Sequence, residues 1–308
     1  MTGISAAANK QESGSAFAQA CDCHTHVFGP EAQYPFAQRR TYTPGEASVA
    51  QLEALHGRLG IGRTVIVQPS PYGTDNRCTL DAVRSLNRDG ADRARAVVVI
   101  DGQAGRGELE SLHDAGARGV RINLETFGVM DTGLARERLL HVAGQVAPLG
   151  WHIQVYTNPI VIAGLSGVFQ DLPAPVVFDH FAGMRPELGM DQPGMAELMQ
   201  LMRSGKAYVK LSAAHRVTGE AGYGAVAGMV RAWAALRPDR LLWGSDWPHP
   251  GAWPGVARSP DRIEPFHPID DEAALSALAG WLPDASMRAA VLAHNPARLY
   301  GWQASDAA

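Results

Sequence analysis

The chain has 308 residues, 46% of them hydrophobic and 19% charged, which is ample apolar content for one α/β barrel or two small domains. A formal net charge of −4 with no block or stripe of Lys and Arg argues against a nucleic-acid partner and against attraction to an anionic membrane surface. No apolar run approaches the ~20 residues that span a bilayer, and Cys21, Cys23 and Cys78 are too few for a disulfide framework, so the expected setting is the reducing cytoplasm.

Residues 1–19 are rich in Ala, Ser and Gly and lack the charged start and apolar centre of a secretory signal, so they read as a flexible tail, as do 304–308. The first strand follows at 20–26, within Ala-Cys-Asp-Cys-His-Thr-His-Val-Phe-Gly. Alternation along a strand predicts that Asp22, His24 and His26 share one face while Cys21, Cys23 and Thr25 share the other, with the two cysteines packed outward. Further apolar, β-branched runs fall at 64–69, 96–101, 118–124, 151–157, 175–180, 207–212 and 241–246. Between them, 47–59, 78–88, 107–115, 135–147, 195–204, 223–236 and 286–299 carry apolar residues at helical spacing. Strands alternating with helices predict parallel pairing through crossover helices, and a closed TIM-like (β/α)8 barrel, with some distortion allowed, over a single domain at 20–303. A doubly wound sheet is disfavoured, because no Gly-x-Gly-x-x-Gly loop follows the first strand. A Pro- and Gly-rich insertion at 247–268 predicts a loop over the barrel mouth.

Active sites of parallel barrels lie at the C-terminal ends of the strands, and polar residues concentrate there in this chain. Strand one ends in His24 and His26, and strand two leads to Gln68 and Ser70. Strand four carries Arg121 and Asn123, strand five Gln154 and Tyr156, and strand six Asp179 and His180. Strand seven is followed by His215 and Arg216, and strand eight delivers Asp246 and then His249. Each residue alone reads equally well as a cap, a loop salt bridge or a satisfied core histidine. Gathering them around one mouth is costly unless they do chemistry.

The strings DCHTHVF (22–28), RTYTP (40–44), QPSPYGTDN (68–76), RGVRIN (118–123), DHFAG (179–183) and WGSDWPHP (243–250) resemble the amidohydrolase superfamily. The resemblance is to the branch of 2-pyrone-4,6-dicarboxylate lactonase and related sugar-lactone hydrolases and isomerases. It implies hydrolysis of a cyclic ester in which Asp246 takes a proton from water while His24, His26 and His180 stabilise the developing oxyanion. Arg121 and Arg216 would hold substrate carboxylates, since a guanidinium presents parallel donors to two oxygens. Tyr42, Ser70, Tyr156 and His249 would complete substrate binding. Superfamily members usually hold one or two divalent ions, but strand four offers Arg121 and Asn123 where a lysine is expected, and strand five offers Tyr156 where a histidine is expected, with His152 too far from the mouth to replace it. His24, His26 and Asp246 remain as ligands for a single zinc or manganese. The lactonases of this branch work without metal, so the expected cofactor is none. The resemblance implies a basic residue in the loop after strand four for dicarboxylate substrates; here Leu124-Glu125-Thr126-Phe127-Gly128 has neither Arg nor Lys, which points away from pyrone dicarboxylate itself and toward another small anionic lactone of aromatic or sugar-acid catabolism. The competing readings are a metal-dependent hydrolase or decarboxylase, a lactone isomerase, and a non-catalytic binder of organic acids.

Overall fold

The computed structural model describes residues 19–125, 132–219 and 222–303. The expected tails, save Gln19, and the 126–128 portion of the loop after strand four lie outside them.

Eight short strands succeed one another as β1 (Cys21–Thr25), β2 (Arg63–Val67), β3 (Ala94–Val98), β4 (Ala117–Asn123), β5 (His152–Tyr156), β6 (Val176–Phe178), β7 (Ala207–Ser212) and β8 (Leu241–Gly244). Each pairs in parallel with the next. The crossovers are helical: α1 (Val49–Leu59), α2 (Arg77–Leu86), α3 (Arg106–Asp114), α4 (Thr132–Val146), α5 (Pro159–Asp171) and α6 (Met195–Arg203). After β7 come α7 (His215–Thr218) and α8 (Ala227–Leu236), and after β8 comes α9 (Asp271–Trp281). The architecture is the expected (β/α)8 barrel. It closes without a continuous ladder between β8 and β1: Asp246 N donates to His24 O at 2.8–2.9 Å, as does His26 N to Trp247 O, just above the end of β8.

Helix α5 has no counterpart in the sequence reading. Its start carries the expected chemistry, Asn158 accepting from Val161 N with Pro159 in the first turn. Its Ile160-Val161-Ile162 run is β-branched and reads as strand, which hides the helical period. The helix expected over 286–299 is broken into Ala285–Ala289, a wider turn at Ala290–His294, and Asn295–Tyr300.

Two apolar clusters divide the core. One lies between strands and helices, where Ile66, Val98, Ile122 and Phe178 meet Leu52, Val83, Leu139 and Ile162. The other fills the lower barrel interior, where Cys21, Cys23, Val65, Val67, Val97, Val177 and Leu242 pack on the C-terminal Tyr300 and Trp302. Cys21 and Cys23 therefore point inward, opposite to expectation. The pairing of β1 with β2 shifts register between Asp22 and Thr25, and such a bulge breaks the alternation of faces. Asp22 consequently leaves the histidine face: its Oδ2 meets His56 Nε2 of α1 at 3.4 Å, and its Oδ1 accepts from Ser245 N at 2.9 Å. His24 and His26, beyond the bulge, face the interior.

Gly244 permits this closure. A Cβ there would lie 2.7 Å from His24 Cβ and 2.9 Å from His24 N. Gly244→Ala is expected to destabilise the fold by roughly 1–3 kcal/mol through overpacking, and to lower turnover by about 10²-fold by displacing His24 from Asp246. Thermal melts and steady-state rates measure both; a neutral variant would contradict the closure described.

Backbone strain gathers at the same end of the barrel. Seven described non-glycine residues have positive φ, and six of them, His180, Phe181, Ala182, Ala213, Asp246 and His249, follow β6, β7 or β8. Left-handed backbone in such residues costs about 1–3 kcal/mol each and is held where geometry serves a site. Above them the 247–268 segment crosses the mouth as expected. It is tied down by parallel pairing of Ile263–Glu264 with Thr43–Pro44, and by Thr43 Oγ1 donating to Pro260 O at 2.5 Å.

Candidate active site

Asp246 stands at the centre of the mouth, fully buried in the left-handed turn after β8. Its Oδ2 accepts from Arg216 Nη2 at 2.7 Å and Nε at 3.2 Å. Its Oδ1 has no hydrogen-bond partner, yet lies 3.6 Å from His24 Nε2 and 3.7 Å from both His26 Nε2 and His180 Nε2. One carboxylate oxygen is thus spent on the guanidinium and the other faces three imidazoles. Burial works to raise the Asp246 carboxyl, but Arg216, His180 and His26 hold it well below the ordinary range. The same burial depresses the imidazoles, His24 to about 4, His180 well below its usual value and His26 below 6.5. At neutral pH the cluster is one carboxylate among neutral rings.

Each ring is oriented from behind. His26 Nδ1 is 2.7 Å from Val67 O, so Nδ1 carries the proton and Nε2 presents a lone pair to the cavity. A neutral His26 therefore accepts there, which alters the oxyanion-donor role the resemblance implies for it. His180 Nδ1 meets Ser212 Oγ at 2.9 Å, and the His180 ring stands edge-on to Tyr156 at 4.9 Å. His24 Nδ1 is 3.2 Å from Asp179 Oδ1 and 3.4 Å from Lys210 Nζ.

The cavity above is lined by His26, Tyr42, Ser70, Arg121, Asn123, Tyr156, His180, Arg216, Asp246 and Arg258, among others. Of the residues given catalytic or binding roles from the sequence, all except His24 and His249 are on that wall, whereas Gln68, Gln154, Asp179 and His215 are not. His24 lies just beneath, against Asp246. His249 turns aside, its Nε2 reaching Asp271 Oδ2 of α9 at 3.2 Å, because its own left-handed backbone redirects the side chain. Arg121 Nη1 donates to Gln68 O at 3.1 Å, and its guanidinium lies 5.9 Å over the Tyr156 ring.

Sequence reasoning placed Asp179 and Gln154 at the mouth without assigning either a role, and did not single out Lys210 or Arg258. Lys210 Nζ donates to Gln154 Oε1 at 2.6 Å, and Gln154 Nε2 donates to Asp179 Oδ2 at 3.0 Å, forming a buried polar layer beneath the histidines. Its signal was present: Tyr208, Lys210 and Ser212 alternate along β7, and a lysine inside a buried strand needs a reason. Arg258, whose guanidinium sits 3.9 Å above the Tyr42 ring and pairs with Glu264, comes from the aperiodic strap and left no such trace.

The donor set fits one divalent ion. Ligand atoms of His24, His26 and Asp246 lie within 4.8 Å of one another, and His24 Nε2 and Asp246 Oδ1 are buried without partners. Strand β4 supplies no lysine, so a bridged pair of ions has no bridge.

Histidines from the first strand and an aspartate from the turn after the eighth place the chain in the amidohydrolase family, whose model matches residues 21–302. Among its relatives, a 2-pyrone-4,6-dicarboxylate hydrolase of Comamonas testosteroni is 37% identical over 295 residues, covering 92% of this chain and 90% of that one. A 4-sulfomuconolactone hydrolase of Rhizobium radiobacter is 34% identical over 288 residues, covering 92% and 90%. A crystal structure of a probable 2-pyrone-4,6-dicarboxylic acid hydrolase of Acinetobacter baumannii with citric acid bound superposes with a TM-score of 0.78 at 25% identity, covering 92% of this chain and 99% of that one. Among the described residues no helix is long and apolar enough to cross a membrane.

The depressed imidazoles set a pH window for stability. His24 and His215 are lowered to about 4 and His152 to about 3 by burial, against 6.5 when unfolded. The folded state favours the neutral rings, so their contribution is full above pH 6.5 and is lost as pH falls toward 4. The melting temperature is expected to drop across that interval, before the carboxylates titrate. A flat profile by differential scanning calorimetry would contradict the neutral cluster.

Proposed function

We propose that the protein is a lactone hydrolase that opens a small carboxylate-bearing lactone with water activated by Asp246. The observation that carries the reading is the unpaired Asp246 Oδ1, 3.6–3.7 Å from three imidazole nitrogens while Oδ2 is anchored by Arg216. A water seated between Asp246 Oδ1 and the bare Nε2 of His26 donates to both and turns a lone pair toward the ester carbonyl. Asp246 takes the proton as attack proceeds, and returns it to the ring oxygen as the acyl C–O bond of the lactone breaks. His180 and His24 face the carbonyl oxygen as hydrogen-bond donors where negative charge gathers.

Arg121 and Arg216 orient the substrate carboxylate, with Tyr42, Ser70 and Tyr156 offering hydroxyls around the ring and Arg258 adding a cation from the strap. His249 supports the wall rather than the ligand. The substrate class is a small anionic lactone of aromatic or sugar-acid catabolism; the names of the two curated relatives above support the anionic lactone. The three buried free cysteines suit a reducing cytoplasm.

A divalent ion would be held by His24, His26 and Asp246 and would supply Lewis acidity and a more acidic bound water. The reading preferred here is metal-independent, because Arg216 already balances Asp246 and the lysine layer below supplies a second fixed cation. The test is ring opening of a panel of carboxylated lactones by purified protein, with and without chelator. Turnover that survives chelation supports the proposal; turnover abolished by chelation and restored by zinc or manganese replaces it with the metal-dependent reading.

A further inference from the structure

Lys210 is buried at the middle of β7, and the reaction as proposed above gives it no task. Its Nζ donates to Gln154 Oε1 at 2.6 Å and lies 3.6 Å from Asp179 Oδ1 and 3.4 Å from His24 Nδ1. A lysine ammonium has only donors to offer. Where it meets an imidazole nitrogen, that nitrogen accepts, and the single proton of the neutral ring resides on the other one.

Asp179 is the competitor, since its Oδ1 is 3.2 Å from the same Nδ1 and would draw the proton there. Direction decides between them. Despite its proximity, Asp179 Oδ1 accepts no hydrogen bond of ordinary geometry. The negative charge of Asp179 is met instead by Lys210, by Arg121 Nε at 3.7 Å and by Gln154 Nε2 at 3.0 Å on its other oxygen.

We propose that Lys210 is a positioning residue that fixes the tautomer of His24, placing the ring proton on Nε2, where it points into the cavity as a hydrogen-bond donor. The two histidines of the His-x-His motif then carry opposite polarity. His26, with Nδ1 bound to the carbonyl of Val67 at 2.7 Å, presents a lone pair, and His24 presents a proton. The first can receive from water and the second can donate to the substrate carbonyl. With its proton on Nε2, His24 is also a poor metal ligand, because a metal needs that lone pair. This inference rests on the metal-independent hydrolase reading and assigns the residue that biases the site toward it.

The direct test is a long-range proton–nitrogen correlation spectrum of the full chain labelled with ¹⁵N-histidine at neutral pH, with His24 assigned through His24→Gln. The expected result is an unprotonated Nδ1 and a protonated Nε2 for His24, with the reverse pattern for His26. A proton on His24 Nδ1 overturns the proposal. In Lys210→Met, kcat is expected to fall about 10–100-fold, the range for loss of a partner that orients an imidazole, with KM little changed. Equilibrium dialysis of the same variant is expected to show zinc held at least tenfold more tightly than by the wild type. Unchanged kcat together with unchanged zinc affinity contradicts the assignment, and if the variant does not fold, the wild-type spectrum still decides. The expected tautomer in a protein that opens no lactone removes the hydrolase reading and supports the assignment of Lys210. A proton on His24 Nδ1 in an active lactonase does the opposite.

Discussion

Asp246→Asn lowers kcat by roughly 10³-fold, within the range for removing a general base, while KM for a carboxylated lactone stays near that of the wild type. The amide keeps the shape of the carboxylate and an oxygen for Arg216, so substrate still meets Arg121, Tyr42 and Tyr156 in place. What it loses is the acceptor that takes the proton of water. Steady-state kinetics on the best substrate of the panel measures the split, with calorimetric titration of the variant reporting binding directly. A variant within tenfold of wild-type kcat would remove Asp246 from its role.

Arg216→Met is expected to be nearly as severe, for a different reason. In the wild type, burial works to raise the Asp246 carboxyl and Arg216 is the largest of the groups that hold it down. Asp246 is therefore ionised throughout the neutral range, and no loss of activity through its protonation is expected at mildly acidic pH. Without the guanidinium, burial acts unopposed by its main partner, and the acid limb of kcat/KM moves to higher pH by about one to three pH units. At pH 7 the combined loss of base and carboxylate anchor lowers kcat/KM by roughly 10³-fold, within the range for removing a general base. A variant with reduced kcat/KM but an unmoved acid limb would show that Arg216 only binds substrate.

Much of this was legible in the sequence, and the reasons differ by element. Most strands appear as apolar, often β-branched runs because parallel strands covered on both faces bury nearly every residue. The His-x-His and Gly-Ser-Asp-Trp-Pro-His strings marked the first and last strand ends, whose backbones meet through Asp246 N and His24 O. The bulge at Asp22 was not legible, because one inserted residue changes no composition and yet reverses every face before it. Helix α5 was hidden by its own β-branched residues. His249 was misplaced because its direction is set by a left-handed backbone and a partner, Asp271, on another element. Lys210 was readable from the alternation of β7, but its meaning needed the distance to His24.

The central claim is that Asp246 delivers water, rather than a hydroxyl of the substrate, to a lactone carbonyl. Single turnover in H₂¹⁸O with mass analysis of the opened product tests it most directly. The account predicts one solvent oxygen in the newly formed carboxylate, incorporated roughly 10³-fold more slowly by Asp246→Asn. A product formed at the wild-type rate without label would contradict it and make the enzyme an isomerase.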